Sequence, residues 1–469
     1  MSTQAHLSAA FIISVVVYFS IVAVAVVRHL SRKQFDLFEP ILPFIGVYSL
    51  YAWSAGFLAE TTHGGTYMGE NVGSYALLLY LVSINVGLVG FLLGYEVASR
   101  SLAPFVRRLG KFFNSVSERR FSSLVLWGAI LVAVFNLPTV LRSFRIGGGG
   151  AYVQWATELR LENRANVFSG VEGFVTDLSI NLLISVAILY FGKSRLSKVI
   201  VPVFLVASAL GAVSRGQRTA PLFVTVAILL LYHYRVQRIK FLQLFIPGIL
   251  LYVAMTTFQH VRYTNHLGEM FVADVELIRN DPGVLLPTQV GELLAPSGAF
   301  LVLIDGINRG ITGYTWGYSV LTELAVWVPR PLFSGRPLTL PERFMSTFFP
   351  DLYAEGRGTG FFIPMEGYWA LGVPGVLLVM ATVGALIAAV YKMFQANRDS
   401  QSALLLYVIL FPTMTIISVR TGLLGTVKAG LMSAVPFMIL LLFSRKRRSK
   451  GPHVQSSASI VPGSNCGPP

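Results

Sequence analysis

Long apolar runs separated by short polar segments extend through most of the chain. The first three are Ser8–Val27, Phe38–Leu58 and Tyr75–Tyr95, and each has about 20 residues, the length of a helix that crosses a bilayer. Further apolar runs follow at Ser122–Leu141, Val171–Phe191, Val199–Val213, Thr219–Tyr232, Phe241–Phe258, Leu371–Val390, Ala403–Val419 and a last run that begins near Leu424. The pattern predicts an all-α polytopic membrane protein with about 11 transmembrane helices.

The largest polar segment is Gln259–Tyr368, which contains no uninterrupted apolar run long enough to cross a membrane. Within it, Thr288–Ile307 is interrupted by acidic residues and a proline, and Tyr318–Val328 is short, so both suit interfacial or re-entrant helices. The expected organisation is transmembrane helices 1 to 8 in residues 1–258, a large periplasmic loop of short helices at 259–368, transmembrane helices 9 to 11 at 369–444, and a basic, disordered cytoplasmic tail at 445–469.

Composition excludes a soluble globular domain, because 54% of the 469 residues are hydrophobic, only 13% are charged and the mean hydropathy is +0.65. A net charge of +15 is compatible with nucleic-acid binding. However, most of the 37 Lys and Arg and few of the 22 Asp and Glu fall in the connections that alternate crossing assigns to one side. The positive-inside rule then places the N-terminus outside and the C-terminus in the cytoplasm, and no nucleic-acid partner is expected.

Metal and disulfide chemistry find no support in the sequence. The one cysteine, Cys466, lies in the terminal tail, and the seven histidines show no ligand spacing such as HExxH. We therefore expect a metal-independent mechanism without a cofactor.

Two arginines, Arg215 and Arg218, stand between the apolar runs Val199–Val213 and Thr219–Tyr232, which are short for full crossings. An arginine below the membrane surface is costly and usually faces a wet cavity or a partner, and its planar fork fits a diphosphate well. The alternative is an arginine that snorkels to lipid phosphates. Further candidates for anion binding on the outer side are Arg330, Arg336, Arg357 and Arg420. Of all six arginines, about half are expected to be structural, some of them paired with acidic residues.

A second candidate site is the segment from Gly358 to Trp369, which leads into the run at Leu371. Glu366 lies there among aromatic residues, where it could act as a general base for a sugar hydroxyl or hold an arginine in place. Tyr368 could stack on a sugar face, or it could belong to the aromatic belt of the membrane interface. Weaker candidates for the base are His260 and His266.

Three motifs together resemble the Wzy-type polymerases of bacterial polysaccharide repeat units. They are S-R-G at Ser214–Gly216 between two spans, V-P-R-P-L-F-S-G-R-P at Val328–Pro337, and G-x-G-F-F-x-x-x-E-x-Y-x-x-x-G at Gly358–Gly372. The resemblance covers Ser214 to Arg420. Where the family often has a lysine before the last proline of the aromatic stretch, this chain has Arg336, which preserves the charge.

The resemblance implies an inner-membrane glycosyltransferase of GT-C-like architecture that uses undecaprenyl-diphosphate-linked glycans as donor and acceptor. Arg215, Glu366 and Arg330 are then the expected catalytic residues. The expected substrate-binding residues are Arg218, Arg336, Arg357, Arg420 and Tyr368. The expected partners are the lipid bilayer, a flippase and a chain-length regulator. Two alternatives remain open, an O-antigen ligase and a transporter or flippase of lipid-linked glycans.

Overall fold

The computed structural model describes residues 3–31, 35–61, 66–67, 70–102, 113, 116–125, 127, 219–244, 248, 285–325, 327–328, 333, 335, 337–354, 358 and 360–445. Several predictions of the sequence analysis lie outside these residues. They are the spans between 128 and 218, most of Phe241–Phe258, the histidines His260 and His266, and the candidate arginines Arg215, Arg218, Arg330, Arg336 and Arg357.

The described part of the chain is predominantly helical. Its helices are α1 (Thr3–Leu30), α2 (Ile41–Thr61), α3 (Ser74–Ser101), α4 (Thr219–Arg235), α5 (Leu285–Asn308), α6 (Tyr318–Ala325), α7 (Leu340–Phe348), α8 (Pro350–Ala354), α9 (Ile363–Leu371), α10 (Val373–Ala396), α11 (Gln401–Pro412) and α12 (Leu423–Phe443). A short 3₁₀ helix follows α4 at Phe241–Leu244, and a two-residue antiparallel hairpin pairs Thr66–Tyr67 with Glu70–Asn71 between α2 and α3.

Five helices of the described residues are long and apolar enough to cross a bilayer. They comprise Ala9–Leu30 of α1, all of α3, α10 and α12, and the continuous helix Gln401–Arg420 that starts with α11. The sequence predicted a span at each of these places with ends a few residues away. The helical, multi-pass character is thus confirmed, whereas the count of about 11 spans and the GT-C-like architecture stay predictions.

Helices α3 and α10 form the central pair of the bundle, and glycines bring their backbones into direct contact. A Cβ added at Gly90 would lie 2.7 Å from the Leu377 carbonyl oxygen, and one added at Gly384 would lie 2.8 Å from the Tyr95 nitrogen. A Cβ at Gly94 would overlap the backbone of α10 outright. Small residues of this kind let helices pack closely in lipid. Close packing matters there because apolar side chains gain little free energy by moving from lipid to a helix interface.

Tyrosine hydroxyls join α2 to α3 inside the bundle. Tyr48 donates to the Ile84 carbonyl oxygen at 3.0 Å, and Tyr80 donates to that of Ala52 at 2.6 Å. Both rings are fully buried. Each hydroxyl therefore has a partner where water cannot supply one, and the two helices are held in register.

Helix α5 continues through Pro296, although the sequence analysis treated this proline as an interruption. Ser297 meets Ser54 of α2 with 2.8 Å between the hydroxyl oxygens. At the other end of the helix, Asp305 accepts the backbone N–H of Gly73 at 3.0 Å, just before α3 begins. Contacts with α2 and α3 thus support α5 on both sides of its proline, which explains why the helix is not broken there.

One end of the bundle gathers three connections around Asp36. Its carboxylate accepts hydrogen bonds from Tyr234 of α4 at 2.9 Å and Tyr391 of α10 at 3.1 Å, and Arg398 lies 3.7 Å away. The α1–α2 connection, the end of α4 and the α10–α11 connection therefore lie together, as alternate crossing predicts. We call this the Asp36 end. Helix α9 lies at the opposite end of α10, about 36 Å away for a helix of 24 residues.

Candidate active site

The short helix α9 is the centre of the candidate site, and all its residues from Ile363 to Ala370 are buried. It ends at Gly372, whose φ of 68° lies in the left-handed region that favours glycine. Gly367 and Gly375 touch through their backbones, so α9 folds tightly onto the first turn of α10. This packing fixes the position of every side chain on α9.

Glu366 is 1% exposed and is the buried carboxylate of α9. Its Oε2 accepts a hydrogen bond from the backbone N–H of Leu423, the first residue of α12. A Cβ at Gly422 would overlap this oxygen, so glycine is needed for the approach. Within the described part of the chain, the other oxygen, Oε1, is buried and has no hydrogen-bond partner. Buried carboxylate oxygens normally have such a partner, so the partner of Oε1 is either a ligand or a group outside the described residues.

Burial raises the pKa of Glu366 from 4.5 to about 7, against the opposing effect of the Leu423 N–H, and the charge of Glu323 raises it further. Glu323 of α6 is itself 8% exposed and accepts the Leu340 N–H at 2.5 Å. A carboxyl group with a pKa near 7 can both take up and release a proton at physiological pH. Glu366 therefore has the protonation behaviour of a general base or acid.

Arg420 reaches the same site from the end of the α11 helix. Between Thr413 and Ile417 this helix has a π turn, in which the Ser418 N–H bonds to the Thr413 carbonyl oxygen. The half-buried Arg420 guanidinium lies 5.9 Å from the ring centroid of Tyr51, and its carbonyl oxygen accepts the Phe361 N–H at 3.2 Å. No carboxylate pairs with Arg420 among the described residues.

The two roles considered for Glu366 can be compared with this geometry. In the described residues its partner is the backbone of Leu423, and it does not pair with an arginine. Of the candidate arginines, only Arg420 is described, and it stacks on an aromatic ring. The other five candidate arginines lie outside the described residues, so both roles of Glu366 stay predictions.

Tyr368 packs in the core. Its ring is 1% exposed and contacts Phe300 of α5, with 5.6 Å between centroids, and Tyr314, with 6.1 Å. In this conformation the ring supports α9 against α5, and its proposed stacking on a sugar would require a rearrangement.

Arg343 of α7 is a site residue that the sequence analysis did not select. Its guanidinium carbon lies 5.3 Å from the ring centroid of Trp369, one helical turn beyond Glu366 on α9. Helix α7 begins at a capping box in which the Thr339 hydroxyl accepts the Glu342 N–H and the Glu342 carboxylate accepts the Thr339 N–H. The sequence T-x-x-E at Thr339–Glu342 signals such a helix start, and Arg343 follows directly.

Among the described residues, no group of three or more His, Cys, Asp or Glu side chains could hold a metal ion. The charged groups described near α9 are the buried carboxylates Glu366 and Glu323 and two arginines, Arg343 and Arg420, whose guanidinium groups lie over aromatic rings.

Comparison with known proteins gives one family match. The family model described as O-antigen polysaccharide polymerase Wzy matches residues 5–450, nearly the whole chain. No curated protein and no solved structure matches the chain.

Proposed function

We propose that this chain, which belongs to the O-antigen polysaccharide polymerase Wzy family, extends glycans carried on undecaprenyl diphosphate. The growing glycan is transferred from its lipid carrier to a newly delivered lipid-linked repeat unit. The reaction takes place at the outer face of the bacterial inner membrane and uses no metal. The observation that carries the proposal is the Glu366 carboxylate, which has one oxygen held by Leu423 and the other buried without a partner among the described residues.

Glu366 serves as the general base in this reaction. Its Oε1 takes the proton from an acceptor sugar hydroxyl while the hydroxyl oxygen bonds to the anomeric carbon of the donor glycan. The bond between the anomeric carbon and the diphosphate oxygen breaks, and the electron pair leaves with the diphosphate. A pKa near 7 suits this step, because the carboxylate is ionised often enough to accept a proton and basic enough to hold it.

Arginines stabilise the departing diphosphate. Arg420 is the candidate whose position is described, and it lies three residues before the Leu423 N–H that holds Glu366. Arg215 and Arg330 are proposed to act in catalysis beside it. Arg218, Arg336 and Arg357 are proposed to bind the substrate, with Tyr368 supporting the site. Guanidinium groups offer paired N–H donors that match phosphate oxygens, which lets them neutralise a leaving group without a metal.

The distribution of charge supports the proposed orientation. The basic connections meet at the Asp36 end, which is placed in the cytoplasm by the positive-inside rule. The Glu366 end then faces the periplasm, as do the N-terminus and the lipid-linked substrates after their transfer across the membrane. A flippase and a chain-length regulator remain proposed partners.

The test is Glu366→Gln in a strain that lacks its own copy of the gene, with Asp351→Asn as the control because Asp351 is an exposed carboxylate on the nearby helix α8. Glu366→Gln should abolish polymer and leave single lipid-linked units while the protein remains in the membrane, and Asp351→Asn should behave as wild type. Polymer of normal length in Glu366→Gln would refute the role of Glu366.

A reconstitution assay separates polymerisation from the two alternatives. Purified protein and lipid-linked repeat units in detergent should yield longer lipid-linked chains. A transporter cannot extend a chain under these conditions. A ligase would instead be revealed by gene deletion, because long polymer would then accumulate on the lipid carrier.

A further inference from the structure

Arg343 is half-buried, and the described part of the chain offers its guanidinium no hydrogen bond or ion pair. Its only recorded side-chain contact in the described part of the chain is the face of Trp369, at 5.3 Å from guanidinium carbon to ring centroid. A cation over an aromatic ring is attracted through the ring's face and does not use the guanidinium N–H groups as donors to oxygen atoms, so these can still bind an oxyanion. We propose that Arg343 binds an oxyanion of the lipid-linked glycan beside Glu366, an inference that rests on the proposed function.

The nearest acidic residue in sequence, Glu342, does not neutralise Arg343. Its carboxylate accepts the N–H and the hydroxyl of Thr339, each at 2.9 Å, and so belongs to the cap of α7. Glu323 accepts the Leu340 N–H at the same helix start. These contacts fix the first turn of α7, and Arg343 is presented from a rigid element with its charge available.

The neighbouring face of α9 carries two further unsatisfied groups. Within the described residues, Glu366 Oε1 and Trp369 Nε1 are both buried without a hydrogen-bond partner, and the two residues are three positions apart on one helix. Side chains at this spacing lie next to each other. A carboxylate oxygen, an N–H donor and the guanidinium that lies over the donor's own ring are therefore close together, which fits a ligand that has both hydroxyl and oxyanion groups.

Arg343 and Arg420 lie on different elements that contact α9 or the residues just before it. Arg343 comes from α7 by way of Trp369, whereas Arg420 comes from the helix that ends next to Leu423. A substrate held by both would have its anionic group fixed from two directions while its sugar lies at Glu366. The oxyanion is either the diphosphate of the carrier or the carboxylate of an acidic sugar, and both offer the paired oxygens that an arginine fork binds.

Kinetics of chain extension by the purified full chain test the proposal, with variants Arg343→Gln, Arg343→Lys and Arg309→Gln. Arg309 is the matched control, because it already pairs with Asp305 at 2.6 Å on the same end of the molecule. Arg343→Gln should raise the KM for the lipid-linked unit about tenfold or more, the loss of one charge-assisted contact. Arg343→Lys should recover part of this loss, and Arg309→Gln should match wild type. An unchanged KM in Arg343→Gln would overturn the proposal.

A binding experiment keeps the test independent of polymerase activity. The thermal stability of the folded full chain is measured with inorganic pyrophosphate and with glucuronate as probes. Stabilisation of wild type that is lost in Arg343→Gln and kept in Arg309→Gln supports the site, and the effective probe identifies diphosphate or carboxylate. Stabilisation by neither probe, or equal stabilisation in both variants, overturns it. If wild type binds a probe through Arg343 but extends no chains, the proposed function fails and the anion site stands.

Discussion

The Glu366 carboxylate of α9 accepts the backbone N–H of Leu423, 57 residues further along the chain, at the first position of α12. A hydrogen bond to a carboxylate favours its charged form, whereas burial favours its neutral form. Here burial is the larger effect, and the pKa is about 7. The contact thus joins the last described span to the helix that carries the proposed base.

Replacing Glu366 should stabilise the protein at high pH while it removes activity. Because the folded pKa is raised from 4.5 to about 7, folding favours the protonated form. This stabilisation is fully present below pH 4.5, falls as the pH rises to about 7, and is then gone. Glu366→Gln is neutral throughout, so it should be more stable than wild type at pH 8, by on the order of 3 kcal/mol, and show a much smaller difference at pH 5. Thermal unfolding at the two pH values measures this. If the difference in stability between the variant and wild type were the same at both pH values, the raised pKa of Glu366 would be contradicted.

Gly422→Ala should lower catalysis by displacing Glu366. The new Cβ would overlap Glu366 Oε2, and either the carboxylate or the start of α12 must move. We expect kcat for chain extension to fall about tenfold or more, since small displacements in an active site are costly. The control is Gly425→Ala, whose Cβ would make ordinary contacts with Thr421 from 3.4 Å. It should keep near-wild-type activity, and a similar loss in both variants would argue for a general effect on α12.

Gly94→Ala should destabilise the central helix pair. Its Cβ would overlap the backbone of α10 at Ala381, which can only yield if the two helices separate. The expected cost is about 1–3 kcal/mol, as for overpacked cores. Gly46→Ala on α2 is the control, because no atom lies within 4 Å of its added Cβ, and better helix propensity should make it neutral or slightly stabilising. Unfolding in detergent compares the two, and unchanged stability of Gly94→Ala would mean that the helices are not in direct contact.

Asp36→Ala should lower the stability of the protein without changing substrate binding. The substitution removes the acceptor of Tyr234 and Tyr391 and leaves Arg398 without its carboxylate. Removing one partner of a buried charged pair typically lowers the free energy of unfolding by about 3–5 kcal/mol. Because Arg398 is partly exposed, we expect a cost in the lower part of that range. The control is Asp399→Asn at an exposed position.

The KM for chain extension is the second readout for Asp36→Ala, measured on protein that remains folded. It should equal that of wild type, because the Asp36 end lies about 36 Å from α9. A raised KM at normal fold would show that the two ends of the bundle are coupled.

The apolar pattern predicted the five long apolar helices of the described residues well, because length and hydropathy alone decide whether a helix can cross lipid. It also predicted spans at Phe38–Leu58 and Thr219–Tyr232, where the structure has only the shorter apolar stretches Ile41–Ser54 and Leu222–Arg235. It failed at Pro296, where tertiary contacts of Ser297 and Asp305 keep α5 intact. Glu366 could be chosen from its position among aromatic residues at a predicted membrane mouth. Its hydrogen-bond partner could not be predicted, because the Leu423 N–H is a backbone group that every residue except proline carries.

Arg343 shows a different limit of the sequence. Nothing in its neighbourhood except the capping box distinguishes it from other arginines of the polar loop. Its importance follows from Trp369, 26 positions away on another helix, whose ring it covers. Contacts between distant residues of this kind are set by packing, and local patterns do not encode them.

The π turn at Thr413–Ile417 has a consequence for how this chain tolerates insertions and deletions. One residue added to or removed from a helix turns everything beyond it by about 100° around the axis. A π turn, however, already contains one residue more than an α turn, so a single deletion within Thr413–Ile417 would restore an ordinary turn and keep Arg420 at the face of Tyr51. This stretch should therefore tolerate the loss of one residue better than the gain of one, which would turn Arg420 away from Tyr51.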